Sequence, residues 1–78
     1  MMVDLMLKEQ FDYEVQLVYE DGGPKIVVVA VKLPSGAIEI ITNTDDLEGK
    51  LKYYKVAYDD EFRLKANPAV QIVNFMIV

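Results

Sequence analysis

Apolar residues are densest in residues 26–33, Ile-Val-Val-Val-Ala-Val-Lys-Leu, where seven of eight positions are apolar and Lys32 is the one charge. β-Branched side chains suit a pleated strand and lose rotamer freedom in a helix, so this run predicts a strand. Successive side chains of a strand point to opposite faces, so a run apolar on both parities predicts a strand whose two faces both seek cover. Residues 70–78, Val-Gln-Ile-Val-Asn-Phe-Met-Ile-Val, repeat this pattern. Val70, Ile72, Met76 and Val78 fall on one side; Val73, Phe75 and Ile77 fall on the other.

Residues 11–20 read differently. Phe11, Tyr13, Val15, Leu17 and Tyr19 alternate with Asp12, Glu14, Gln16 and Glu20, with Val18 the exception. This period of two predicts a half-buried strand with a wet, acidic face. Asp21-Gly22-Gly23-Pro24 then predicts a hairpin loop into the Val-rich strand. Pro34-Ser35-Gly36 is a second turn signal, leading into a strand over residues 37–42 with Ile38, Ile40 and Thr42 on one face and Ala37, Glu39 and Ile41 on the other.

A third periodicity follows. Leu47, Leu51, Tyr54 and Tyr58 are spaced i, i+4, i+7, i+11, one face of a helix predicted over residues 45–58. Asn43 or Thr44 supplies a capping side chain, and Asp45 and Asp46 suit the positive end of the helix dipole. Gly49 inside the helix points to close approach of helix and sheet, since Gly costs about 1 kcal/mol against Ala there. Asp59-Asp60-Glu61 marks the helix exit, residues 62–66 begin another extended piece, and Asn67-Pro68 precedes the last strand. Residues 1–10 fit either a short strand or a helical turn. The expected architecture is a single α+β domain over residues 1–78, two-layered, of order β-β-β-α-β, with one helix across one face of a mostly antiparallel sheet.

One helix of about 14 residues is roughly 20 Å long and covers one face of such a sheet. The other face, apolar at the Val-rich and C-terminal strands, is left with three candidate covers: a second copy of the chain, the segment 1–10, or a different protein. Symmetric pairing is the commonest solution, so a homodimer through the sheet is the first expectation. The residues expected to make that contact are Val27, Val29, Val31, Val73 and Phe75, or their opposite-face neighbours; a one-residue slip of register exchanges the two sets.

Composition narrows the chemistry. The chain has neither Cys nor His, so thiolate metal sites, disulfides, thiol nucleophiles and the commonest neutral-pH general base are excluded. Ser35, the sole serine, lies in a turn without a neighbouring base. The expectation is a non-enzymatic module without cofactor or metal. Thirteen acidic against eight basic residues give a net charge of −5, which opposes a grip on nucleic acid or anionic lipid. Tyr53, Tyr54 and Tyr58 with Lys50, Lys52 and Lys55 are the one candidate base-stacking platform. The acidic residues Asp12, Glu14, Glu20 and Asp59 to Glu61 support a rival reading, an inhibitor that imitates a phosphate backbone before a host nucleic-acid enzyme. Apolar runs fall far short of the roughly 20 residues that span a bilayer, and the first residues lack the basic region of a signal peptide, so a cytoplasmic setting is expected.

The stretch Val31-Lys32-Leu33-Pro34-Ser35-Gly36-Ala37-Ile38-Glu39, together with residues 51–58 and 72–78, resembles short accessory proteins of bacteriophages and prophages of Gram-positive bacteria. The resemblance implies a phage accessory protein at work in the bacterial cytoplasm or packed near the virion, and brings no active-site residues with it.

Overall fold

The computed structural model describes residues 6–78. Its elements run α1 (Leu7–Glu20), β1 (Val27–Lys32), β2 (Ile38–Asn43), α2 (Leu47–Ala57), β3 (Arg63–Leu64) and β4 (Asn67–Ile77). The fold is α+β, with an antiparallel four-stranded sheet in the order β2-β1-β4-β3. The order α-β-β-α-β-β replaces the expected β-β-β-α-β, and two helices stand where one was expected. No helix among the described residues is long and apolar enough to cross a membrane.

The main correction concerns residues 11–20, which are helical rather than extended. The same residues carry a second periodicity that becomes visible once Leu7 is included. Leu7, Phe11, Val15 and Val18 are spaced i, i+4, i+8, i+11, and these are the positions with reduced exposure, whereas Tyr13, Leu17 and Tyr19 of the period-two set are exposed. The Gly22-Gly23 signal served a helix end, not a hairpin. Gly22 has φ 103°, the Gly23 N–H donates to Val18 O at 2.8 Å and the Gly22 N–H to Tyr19 O at 3.3 Å. These are the two bonds of a Schellman cap, with Pro24 just beyond, where a helix cannot continue. Of residues 1–10, Leu7 onward belong to α1, and 1–5 lie outside the described residues.

The Val-rich run forms β1 at the centre, and the turn at residues 34–36 joins it to β2, as expected. In β4 the side-chain alternation is broken. Val31 pairs with Ile72 but Ala30 pairs with Asn74, so Val73 is the extra residue of a bulge. The bulge moves Ile72 onto the face of Phe75 and Ile77, where simple alternation had placed it with Met76.

Both helices lie on one face of the sheet. Phe75 opposes Val29 in the ladder and its ring meets that of Phe11 on α1 at 5.1 Å. Asn43 opposes Val27, and its side chain reaches Tyr54 on α2. The core therefore gathers Val27, Val29, Val31 and Ile72 from the sheet under Phe11, Leu51, Tyr54, Tyr58 and Phe62. Phe62 has a positive φ of 63° although it is fully buried. The Asp59 carboxylate holds that turn by accepting from the Glu61 and Arg63 N–H groups, each at 2.9 Å. Its acidic cluster is a turn that aims a phenyl ring inward.

Lys8 ties the helices end to end. It is buried, and its Nζ donates to Lys55 O at 3.2 Å and Tyr58 O at 3.3 Å, at the C-terminus of α2. A cation there meets free carbonyls and the negative end of the helix dipole. At the other end of α2 the expected cap is absent. Asp46 is the N-cap in a left-handed conformation with no side-chain capping bond, and Asn43 is turned into the core instead. Gly49 faces this Asp46 carboxylate, which lies 2.5 Å from where a Cβ would stand, rather than the sheet.

The two periodicities of α1 make different mutational predictions. Phe11→Ala should cost about 3–5 kcal/mol, the range for deleting a buried aromatic ring. Tyr13→Ala, at a 59% exposed position of the same alternating set, should stay within about 0.5 kcal/mol. Urea unfolding of the two variants checks this; equal losses would restore the strand.

Candidate binding surface

The register sorts the sheet residues into two sets. Val27, Val29 and Val31, three of the expected contact residues, lie at the core under the helices and are buried. Phe75 is half-buried against Phe11. Val73 stands at the bulge and is 40% exposed. As placed, Val27, Val29 and Val31 have no free surface to offer a partner, because both helices chose their face, whereas Phe75 keeps partial exposure and borders the hollow on the opposite side. The opposite-face neighbours form the bare side.

That side is built row by row. Val28 stands between Thr42 and Met76, Ala30 between Ile40 and Asn74, and Lys32 between Ile38 and Gln71. Ile26 and Val78 extend it by one row, exchanging backbone bonds at 3.2 and 2.9 Å. Ile38, Ile40 and Met76 are 53%, 62% and 54% exposed. A hollow of about 220 Å³ opens between Val28, Ala30, Ile40, Asn74, Phe75 and Met76. Among the described residues no acidic side chain stands in these rows of β2, β1 and β4, and Lys32 is their one charged side chain, at a corner. The row of Lys32 continues across Gln71 to Arg63 of β3, which is ion-paired with Glu61 at 3.2 Å.

A second hollow, about 390 Å³, lies between α2 and β2, where Ile41, Asn43, Gly49, Tyr53, Tyr54 and Tyr58 meet. Its polar floor is already committed. Asn43 Nδ2 donates to Val27 O at 3.2 Å and to the Tyr54 hydroxyl at 3.0 Å. Burial raises the Tyr54 pKa, and the Asn43 bond opposes that only in part. Burial, then the neighbouring Tyr53 and Tyr54, push Tyr58 up to about 12. The three rings meet at 5.5 to 6.1 Å, edge-on or tilted. Tyr54 and Tyr58 are buried, so only Tyr53 presents a ring to solvent, and the trio does not form an open stacking platform.

The acidic residues are dispersed. Glu9, Asp12, Gln16 and Glu20 share one side of α1 by spacing, and Asp59 is engaged in its turn. Among the described residues no three acidic side chains gather as metal ligands would. What the arrangement offers is an apolar surface on the sheet face away from the helices. Comparison with models of protein families, with curated proteins and with solved structures finds no match to this chain.

The buried tyrosine gives a pH prediction. Tyr58 resists ionisation in the folded chain, with its pKa raised from 10.0 to about 12. The unfolded chain therefore loses that proton first as pH rises. The stability this contributes is complete below pH 10.0 and lost as pH climbs through about 12. Tyr58→Phe should flatten the fall in stability across that window, measured by circular dichroism during alkaline titration; an unchanged profile would refute the assignment.

Proposed function

We propose that this chain is a non-enzymatic interaction module that self-associates through the bare face of its sheet. The observation that carries the reading is a segregation of charge. Thirteen acidic residues serve a chain of 78, yet the rows that β2, β1 and β4 give this face carry Ile26, Val28, Ala30, Ile38, Ile40, Met76 and Val78 and no acidic side chain, Glu61 standing at the β3 corner in an ion pair with Arg63. Two copies of net charge −5 repel at long range, so a self-contact needs a surface from which the acids are withheld. A different, basic partner would favour the opposite arrangement.

Size sets the strength. Three strands about 4.8 Å apart and six residues of about 3.3 Å each give a flat area of about 300 Å², a size at which an apolar patch is commonly functional. Burying two such patches is worth about 15 kcal/mol gross at 25 cal/mol/Å². Lost translational and rotational freedom costs about 4–15 kcal/mol, so the contact is weak and concentration-dependent. On the resemblance alone, the reading takes the chain as a phage accessory protein acting in the bacterial cytoplasm.

The rival is charge imitation of a phosphate backbone by Asp12, Glu14, Glu20 and the Asp59 to Glu61 cluster; helical spacing on α1 groups Asp12 and Glu20 with Glu9 in one stripe and sets Glu14 off it. Salt separates the two. A charge-based contact weakens as salt rises, whereas an apolar contact between like-charged copies strengthens when their repulsion is screened.

Sedimentation equilibrium tests the proposal. The mass should rise above the 8.9 kDa of one chain with concentration, persist in high salt, and fall in Met76→Glu but not in Asp12→Asn. A monomer at every concentration, or a mass indifferent to Met76→Glu, would sink it.

A further inference from the structure

The geometry points to a second self-contact, in which the outer edge of β2 pairs antiparallel with β2 of another copy, centred on Ile40. This deepens the self-association reading and rests on it for the identity of the partner.

The backbone shows which groups are free. The Leu33 N–H donates to Ala37 O at 2.8 Å across the β1–β2 turn. From that bonded pair, the alternation of an antiparallel ladder turns the N–H and C=O of Glu39, Ile41 and Asn43 toward β1. Those of Ile38, Ile40 and Thr42 point outward. The other side of β1 agrees: Ile26 exchanges bonds with Val78, so the β4-directed groups of β1 belong to the even positions. Among the described residues nothing pairs with the outer edge of β2, the end of the sheet order.

Natural edges are blunted by shortness, Pro, charged side chains, bulges or covering segments. The opposite edge, β3, has two residues. β2 has six, Ile-Glu-Ile-Ile-Thr-Asn, with neither Pro nor Lys, no bulge in its pairing to β1 and a single charge, Glu39. Three isoleucines and a threonine give it high strand propensity.

Register then selects itself. The outward residues must oppose one another, which leaves few alignments. With Ile40 on the two-fold axis, Ile40 faces its own copy, Ile38 faces Thr42, and each such pair exchanges two backbone bonds. Glu39 then opposes Ile41. Sliding by one outward residue toward the turn sets Glu39 opposite Glu39, which is destabilising. Sliding the other way carries Ile38 past the end of the strand. The centred register keeps the most bonds and opposes no like charges.

A second feature lies beside this edge. Tyr53 and Gly49 overhang β2, since with Ile41 and Asn43 they line one cleft. Tyr53 is 50% exposed, and Val56, one turn on, is 60% exposed. Joining two β2 strands brings both overhanging flanks to the seam on the helix side. On the other side it makes two bare patches continuous, doubling about 300 Å² to about 600 Å². Edge pairing thus enlarges the surface that face pairing uses, and two perpendicular two-folds close a tetramer.

Two substitutions separate the contacts. Thr42→Pro removes an outward N–H that the edge uses, at a position where an edge strand tolerates proline. Met76→Glu charges the bare face two strands away from that edge. At concentrations where the wild type approaches four chains, each variant should halve the mass and the double variant should quarter it. Thr42→Pro without effect while Met76→Glu halves the mass overturns the edge and leaves the face; the reverse overturns the face and leaves the edge. Folding of each variant is confirmed by circular dichroism. Register is read by single cysteines in a chain that has none. Ile40→Cys should oxidise to a dimer, because Cα atoms of a bonded pair lie about 5.5 Å apart, within disulfide reach. Ile38→Cys should not link to itself, its two copies standing about 13 Å apart, but should link to Thr42→Cys when the two are mixed. Equal self-linking at Ile38 and Ile40 would overturn the register.

Discussion

The Phe11 ring is the contact on which the rest of this structure depends. It is 1% exposed and meets Tyr54 on α2, Phe62 in the turn after α2 and Phe75 on β4, at centroid distances of 6.1, 5.2 and 5.1 Å. One side chain therefore joins both helices to the sheet, in edge-on geometries that favour aromatic pairs beyond their area. Lys8, one turn earlier, adds a polar tie by capping α2. Because these contacts gather α1 and α2 together, both helices settle on the same face. The bare face follows from that choice and not from a shortage of helix.

This explains which parts were legible. The central strand and the one after it were readable from their β-branched runs, the turn at residues 34–36 from its Pro and Gly, and the helical stripe Leu47, Leu51, Tyr54, Tyr58 from a single periodicity. Residues 11–20 carry two. Read alone, they alternate cleanly; extended back to Leu7, they also repeat at helical spacing, and tertiary contact at Phe11 decides between the two. Gly22-Gly23-Pro24 added to the error, since a left-handed pair before proline is as natural after a helix as between strands.

The surface was legible in kind but not in residue. Two apolar parities in β1 with limited helical cover imply a bare face. They do not say which parity, because both are mostly apolar. The choice rests on register and on the Val73 bulge, neither of which leaves a mark in a single sequence. The bulge matters most, since it brings Ile72 to the core and frees Asn74 and Met76 for the other side. Asn43 carries the same lesson. It has the residue type of a helix cap and sits where a cap belongs, yet it is buried, joining Val27 to Tyr54. A buried amide needs partners, and here the strand edge and a tyrosine supply them better than the helix end does.

Withholding acids from one face is a constraint on the whole chain. With 13 acidic residues, a random scatter would place several on the sheet. Those among the described residues stand instead on α1 and at its C-cap, around the start of α2, in the turn after it, and at Glu39 on the helix-side parity of β2. Strand propensity does not require this, since an antiparallel sheet with one wet face ordinarily alternates charged and apolar positions. A sheet that forgoes that alternation loses solubility on that side. In the self-association proposed above, the acids elsewhere would keep separate copies apart except where the apolar surfaces align, so specificity would come from where the charge lies and affinity from the isoleucines and methionine it leaves uncovered.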